Sequence, residues 1–189
     1  MTPAGYLYKR IVPAAPAVTV PGVVDVYSVS NCVNDDFADY IDFWRHNGFW
    51  LFDSPSVMQQ LAAEHRLSLD GLTLCYYEVY EQRFDLEARW VTFAADPSFD
   101  TAVVPPDAPT LVGFDVVTSW AGGAPEHSPL SCNDLAAELP VNEHCLFATL
   151  DEAIRALEDG RFKDGEPGPW QIFAVYTVAE PAVGESTRG

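Results

Sequence analysis

Two stretches of this sequence, residues 23–80 and 111–176, carry similar short motifs in the same order. Each opens on a run that contains Asp-Val, at Asp25-Val26 and at Asp115-Val116, and each ends in Val-Tyr. Four more residues have a match at one constant distance along the chain. They are Asn47, Leu51, Phe52 and Ser54, which match Asn142, Leu146, Phe147 and Thr149 in that order. Self-similarity of this kind is typical of a duplicated structural unit. We therefore expect two related halves about a pseudo-twofold axis, with a cleft between them.

The alternation of short apolar runs with helical segments predicts an α+β fold. Short and unevenly spaced strands favour a mainly antiparallel or mixed sheet over a doubly wound parallel sheet. We predict one compact domain over residues 1–180 with about three helices and a loose tail at 181–189. Within it, two βαβαβ-like halves are expected at residues 23–93 and 111–178.

Local signals place the main elements along the chain. A helix is predicted over residues 34–46, because its apolar residues recur every three or four positions. Ser54-Pro55, and Thr149 with Glu152, mark the starts of two more helices. Strands are expected at residues 6–12, 23–29, 72–80, 90–93, 111–118 and 170–178, and mainly irregular chain at 96–109 and 119–142.

The charge of the chain is strongly one-sided. It has 28 acidic and 10 basic side chains, which gives a formal net charge of −18 at pH 7. The resulting negative field repels phosphate backbones and anionic lipids and attracts cationic partners. We therefore expect no nucleic-acid partner and no membrane partner, and we expect a basic protein partner.

The expected location is the cytoplasm, in a bacterial cell. The first residues have no basic region followed by an apolar run, and no stretch approaches the roughly 20 apolar residues of a membrane span. Four cysteines are too few for a disulfide scaffold in a chain of 189 residues, so reduced thiols are expected.

One candidate site is the segment 127–145, which contains two of the four histidines and two of the four cysteines. A cysteine nucleophile needs a histidine base and a third group that orients the histidine. Cys132 with His144, oriented by Asn142 or Asp115, would supply these groups, and His127 is an alternative base. Zinc bound by His127, Cys132, His144 and Cys145 is the weaker interpretation, because adjacent ligands such as His144 and Cys145 diverge on an extended chain. We predict no metal and no cofactor. Ordinary buried thiols are the simpler explanation of Cys132 and Cys145.

A second candidate site is the predicted helix over 34–46 together with the aromatic residues that follow it. Asp35, Asp39 and Asp42 share one helical face, with His46 beside them, and Phe43 and Trp50 belong to a dense aromatic group. Aromatic residues beside carboxylates are suited to anchoring a cationic protein. A solvated acidic face and a buried aromatic core are the simpler explanations.

These features favour a non-enzymatic acidic binding protein that engages a basic protein, comparable in size and charge to small proteins that neutralise basic toxins. The alternative is an enzyme or small-ligand-binding domain that uses the segment 127–145 at the edge of the cleft. A subunit of a homo-oligomer that buries the aromatic group is a third hypothesis.

Overall fold

The computed structural model of the protein describes residues 1–13, 20–30, 37, 47–119, 124–132 and 135–179. One sheet has the strand order β1 (Thr2–Lys9), β4 (Thr73–Asp85), β8 (Trp170–Thr177), β6 (Thr110–Ser119) and β7 (Pro125–His127), with β5 (Arg89–Thr92) beside β4. A separate two-stranded pair joins β2 (Val12–Pro13) to β3 (Asp25–Val26). The strand pairings are antiparallel. The predicted α+β fold with a mainly antiparallel sheet is therefore confirmed.

Three α-helices occur among the described residues. They are α1 (Pro55–His65), α2 (Pro129–Cys132) and α3 (Leu150–Glu158), and a 3-10 turn at Leu135–Glu138 follows α2. The predicted capping box is present at α3, where the Thr149 side chain accepts a hydrogen bond from the Glu152 amide and the Glu152 carboxylate accepts one from the Thr149 amide. The helix predicted over 34–46 and the tail at 181–189 lie outside the described residues.

Helices α1 and α3 pack on the same face of the sheet. Met58 of α1 belongs to an apolar cluster with Tyr6 of β1, and Leu157 of α3 belongs to a second cluster with Val116 of β6. Side chains alternate between the two faces of a strand, and the register places Tyr6 and Val116 on one face. Since α1 lies over β1 and α3 lies over β6 and β8, the centre of this face lies between the helices.

The register of the sheet is symmetric about the pair Tyr77–Val175 at its centre. Tyr77 of β4 pairs with Val175 of β8, and on their other sides these residues pair with Gly5 of β1 and Gly113 of β6. Each glycine directly follows an irregularity in its strand, between Pro3 and Gly5 and between Leu111 and Gly113. The outer strands therefore meet the central strands in the same way on both sides.

Both outer strands are flanked by a loop that an asparagine holds in place. The side-chain amide of Asn47 donates to the Ala4 carbonyl at 2.8 Å, and the amide of Asn142 donates to the Val112 carbonyl at the same distance. The oxygen of Asn47 accepts from the amides of Phe49 and Leu51, and that of Asn142 accepts from the amides of His144 and Leu146. After each loop an isolated bridge follows, Tyr6 with Phe52 and Phe114 with Phe147.

Glycine is required where these loops cross the strands. A Cβ atom on Gly5 would lie 2.6 Å from the Leu51 Cβ, and one on Gly113 would lie 2.7 Å from the Leu146 Cβ. Both approaches are closer than real Cβ contacts allow. The two loops are thus fixed to the sheet by the same sterics as well as by the same hydrogen bonds.

The structure changes how the two halves are matched. The strand predicted at 23–29 is reduced to the two-residue β3, which lies outside the main sheet. The strand that corresponds to β6 in the first half is β1, because β1 flanks β4 as β6 flanks β8. The helix ends also shift, because Arg66 has the left-handed conformation after α1 whereas Gly160 has it after α3. The constant spacing between the two stretches is therefore interrupted by one position at the helix ends. Duplication itself stays a prediction, which the symmetric register supports.

None of the helices among the described residues is long and apolar enough to cross a bilayer.

Candidate functional site

Most of the predicted partner-binding residues cannot be placed. Asp35, Asp39, Asp42, Phe43 and His46 lie outside the described residues. Trp50, the remaining member of that set, is half-buried and has a positive φ of 58° in the loop held by Asn47. Cys145 has the matching position in the second loop, with a φ of 62°.

Asp115 lies in a buried hydrogen-bond network. Its carboxylate is fully buried and accepts from the hydroxyls of Ser28 and Ser128, both at 2.6 Å, and from the Val29 amide at 3.1 Å. Burial raises the pKa of Asp115, and the three donors and the nearby Lys9 oppose that rise. The network joins two loop segments to β6, so the geometry gives Asp115 a structural role.

His144 pairs with a carboxylate that the sequence did not indicate as its partner. Its Nδ1 lies 2.6 Å from Oδ1 of Asp25, its Nε2 lies 3.6 Å from the Glu143 carboxylate, and its ring meets the Tyr27 ring edge-on at 5.1 Å. The Val24 amide also donates to the Glu143 carbonyl. The histidine therefore helps to attach the β3 segment to the second loop.

The other members of the predicted cysteine site are engaged elsewhere. Cys132 is half-buried at the end of α2, and its thiol lies 3.8 Å from the Ser131 hydroxyl. Asn142 uses its side chain to hold the second loop. Among the hydrogen bonds of the described residues, none joins Cys132 to His144, or Asn142 or Asp115 to the His144 ring. The described residues also contain no group of three or more His, Cys, Asp or Glu side chains suited to a metal ion.

The centre of the helix-bearing face carries a different group of side chains. The register places Tyr6, Tyr76, Tyr176 and Leu111 in one row across four strands. The rings of Tyr6 and Tyr76 are 5.1 Å apart and those of Tyr76 and Tyr176 are 5.6 Å apart. This row crosses the central strands β4 and β8.

Glu78 lies next to this tyrosine row. Tyr76 donates from its hydroxyl to Oε1 of Glu78 at 3.3 Å, and Tyr176 donates to Oε2 at 3.0 Å. The carboxylate is half-buried, and among the described residues it makes no ion pair within 4.0 Å. Its hydrogen-bond donors among the described residues are thus two neutral hydroxyls.

A small, buried residue separates Glu78 from the next aromatic ring along this row. Glu78 pairs directly with Ala174, which in turn pairs with the half-buried Phe114. Ala174 is fully buried, so its neighbours close over it. We refer to Tyr76, Glu78, Phe114, Ala174 and Tyr176 as the Glu78 site.

The symmetric register places different side chains at corresponding positions of the two central strands. Rotation about the Tyr77–Val175 pair exchanges the position of Glu78 with that of Tyr176, and the position of Tyr76 with that of Ala174. The large Tyr76 ring fills the space beside Tyr176, whereas the small Ala174 stands beside Glu78. The two central strands therefore differ at corresponding positions, where one has a carboxylate and the other a phenol.

The pKa values of the Tyr76 and Tyr176 hydroxyls are raised, which keeps both groups protonated. Burial, followed by the hydrogen bond to Glu78 and its charge, raises the pKa of Tyr176 to about 12. Burial and the Glu78 carboxylate likewise raise the pKa of Tyr76 above its ordinary value. Both hydroxyls thus stay protonated and continue to donate throughout the neutral pH range.

The rim of the Glu78 site is apolar and is partly covered by the connector at 96–109. Leu111 is 46% exposed beside Tyr176. Tyr6 donates from its hydroxyl to the carbonyl of Val104, and the Val104 side chain is itself 72% exposed. Exposed apolar surface thus lies beside the tyrosine row.

Only part of this site could be predicted from the sequence. Alternation along β4 places Tyr76 and Glu78 on one face, which can be predicted from the chain alone. Tyr176 comes from 98 residues away, and its contact with Glu78 depends on the register of β4 against β8.

No family model matches the chain, and neither a curated protein nor a solved structure matches it. The function can therefore be inferred only from the chemistry of the residues themselves.

Proposed function

We propose that this protein is a non-enzymatic binding protein that engages a basic protein partner through the Glu78 site. The observation that carries the proposal is the Glu78 carboxylate, which is half-buried and held by two tyrosine hydroxyls without a basic side chain among the described residues within 4.0 Å. Removing a carboxylate from water raises its free energy unless a cation or donors replace the lost hydration. A cationic side chain of a partner would supply the missing charge.

The surroundings of Glu78 support a protein rather than a small ion as the occupant. Leu111 and Val104 expose apolar surface near the site, and Tyr176 and Phe114 are only partly buried. Aromatic residues with a buried polar contact anchor many protein interfaces. The net charge of −18 adds a long-range attraction for basic proteins, which speeds association.

The alternative hypothesis, an enzyme that uses Cys132 and His144, has less support from the geometry. The His144 ring faces Asp25 and Glu143, and the Cys132 thiol contacts Ser131. A nucleophile and its base need to be within hydrogen-bond reach, or to reach it when substrate binds. Alkylation of Cys132 tests this alternative, as described in the Discussion.

The proposed function is tested by titrating the protein with a short peptide in which lysine and arginine alternate with glycine and serine. Isothermal calorimetry should show binding that weakens with salt, and Glu78→Gln should weaken it about tenfold because a charge-assisted contact is lost. Glu81→Gln is the matched control, since Glu81 is an exposed glutamate on the same strand. It changes the net charge equally and should alter the affinity by less than about threefold.

An equal loss for the two variants would mean that only the overall charge attracts the peptide, and it would remove the Glu78 site from the proposal. Absence of binding to the unmodified protein would contradict the proposal as a whole. Urea unfolding of both variants establishes that they are folded. If Glu78→Gln does not fold, Glu78→Asp retains the charge but withdraws the carboxylate from the hydroxyls of Tyr76 and Tyr176, and it is expected to weaken binding as well.

A further inference from the structure

A groove with a volume of about 320 Å³ lies between α3 and the segment that follows the 3-10 turn. The apolar residues that line it are Leu139, Pro140, Phe147 and Ala156. Phe147 is fully buried, and Leu139 and Ala156 are nearly so, which makes these three the floor of the groove. The volume is at the lower end of the range for small-molecule sites. The groove shares no residue with the Glu78 site, so its ligand is independent of the proposed function.

Two exposed arginines of this groove have no carboxylate partner. Arg155 donates from Nε to the Asp151 carbonyl at 3.1 Å, and Arg161 donates from Nη2 to the Glu138 carbonyl at 3.0 Å. Neither guanidinium has an acidic side chain within 4.0 Å among the described residues. The contact with the backbone holds each guanidinium in place and leaves its other N–H donors open. Donors of this kind bind a carboxylate strongly.

The groove also contains two carboxylates on the same side of α3. Glu152, Arg155 and Asp159 are three and four residues apart, so the charge alternates in sign along one helical face. One oxygen of Glu152 accepts from the Thr149 amide in the capping box, and the other accepts no hydrogen bond from the described residues. The groove therefore offers charges of both signs beside an apolar floor.

The net charge of the chain favours a ligand that has no net charge of its own. The field of a protein with a formal charge of −18 opposes the approach of a free anion. A simple amine would be attracted to the protein but would meet two guanidiniums in the groove. An α-amino acid is a zwitterion at neutral pH, with both charges attached to one carbon atom, so the long-range field does not repel it.

We propose that this groove binds a free α-amino acid with an apolar side chain. Arg155 and Arg161 take the carboxylate, Glu152 and Asp159 face the ammonium, and the apolar side chain packs on the floor of the groove. No chemical step is assigned to the bound molecule. The groove is thus a small-molecule site in addition to the Glu78 site.

NMR titration of ¹⁵N-labelled protein with L-leucine tests the proposal, because the amides of Ala156 and Arg161 belong to residues that line the groove. Leucine should shift these two signals and saturate at roughly millimolar concentration. Two analogues each lack one of its charges: 4-methylpentanoate has no ammonium, and 3-methylbutylamine has no carboxylate. Each analogue should bind at least about tenfold more weakly, because one charge-assisted contact is lost.

Substitutions in the groove separate the contributions of its charges. Arg155→Gln and Arg161→Gln should each weaken leucine binding about tenfold. Glu152→Gln removes a charge but can keep the capping box, since glutamine also serves at that position, and it should weaken binding several-fold. Arg66→Gln is the matched control, because Arg66 is an exposed arginine at the end of α1. It should change the affinity by less than about twofold.

Three outcomes would overturn the proposal. Leucine might leave the groove amides unshifted, 4-methylpentanoate might bind as tightly as leucine, or Arg66→Gln might weaken binding as much as the groove variants do. Circular dichroism establishes that the variants are folded, and if Arg161→Gln does not fold, Arg155→Gln provides the same test. Glu78→Gln should leave leucine binding unchanged, so failure of the groove and failure of the proposed function are distinguishable.

Discussion

Tyr77 on β4 pairs with Val175 on β8, and each of these residues has a glycine, Gly5 or Gly113, as its partner on the next strand outward. The row Gly5, Tyr77, Val175 and Gly113 thus crosses the sheet, and the pairing is symmetric about its middle. The Glu78 site lies one residue away from this row on both central strands. At this centre of the symmetric register, a carboxylate and a phenol hold corresponding positions.

The two loop asparagines should have similar effects on stability. Asn47→Ala and Asn142→Ala each remove three hydrogen bonds to backbone groups, and each should lower the free energy of unfolding by about 2–3 kcal/mol. Urea denaturation measures both values. Gln60→Ala, on the exposed side of α1, is the control and should change stability by less than about 0.5 kcal/mol. Clearly unequal losses at the two asparagines would argue against equivalent loops.

The two crossing glycines should resist substitution. Gly5→Ala and Gly113→Ala place a methyl group within 2.6 Å and 2.7 Å of the Cβ atoms of Leu51 and Leu146, so each should lower the free energy of unfolding by about 1–3 kcal/mol. Thermal unfolding followed by circular dichroism provides the measurement. At Gly165, where the nearest atom is 3.5 Å away, alanine should be tolerated. Tolerance at Gly5 or Gly113 would show that the loop can move away from the strand.

The tyrosines of the Glu78 site should make the protein less stable at high pH. Burial and the Glu78 carboxylate raise the pKa of Tyr176 to about 12, whereas an unfolded tyrosine has a pKa of about 10. Between these values the unfolded state releases the proton and the folded state keeps it. Stability from this group is therefore complete below about pH 10 and decreases as the pH rises toward 12. Tyrosinate absorbance should show late ionisations, and Tyr176→Phe should remove the one near pH 12 while the later one of Tyr76 remains; an unchanged titration in that variant would contradict the assignment.

The thiols should react with iodoacetamide in an order that follows burial. Burial raises the pKa of Cys75 to about 11, and Cys75 and Cys145 are both buried, whereas Cys132 is half-buried. Peptide mapping should therefore show Cys132 modified in the folded protein, with Cys75 and Cys145 modified only on unfolding. We expect Cys132 to react no faster than a simple thiol, because His144 pairs with Asp25. A strongly accelerated rate at neutral pH would favour the enzyme hypothesis instead.

Local signals were the reliable part of the sequence. The capping box of Thr149 and Glu152 and the proline at the start of α1 are both present, and the two helices begin where these residues place them. The hairpin of β4 with β5 also agrees with the predicted partner strand at 90–93. Such signals involve residues within one or two turns, so the rest of the fold cannot override them easily.

Predictions that required distant residues to meet were less successful. Val23 to Val29 has the apolar composition of a buried strand, yet only Asp25–Val26 forms one, since β1 occupies the sheet edge. His144 and Cys132 are close in sequence, but His144 pairs with Asp25, which is 119 residues away. Composition limits which residue types can react with one another, and only packing decides which of them are neighbours.

The sequence by itself determined the α+β class, the starts of α1 and α3, the apolar central strands and the negative charge, because each depends on local propensity or on a sum over residues. The tertiary structure alone decided that Tyr176 reaches Glu78 and that Ala174 is the direct partner of Glu78 on the next strand. Both contacts follow from the register of β4 against β8, and a shift of one residue would turn these side chains to opposite faces of the sheet. That register is set by the whole sheet, including the loops that cross Gly5 and Gly113, and no short stretch of sequence contains it.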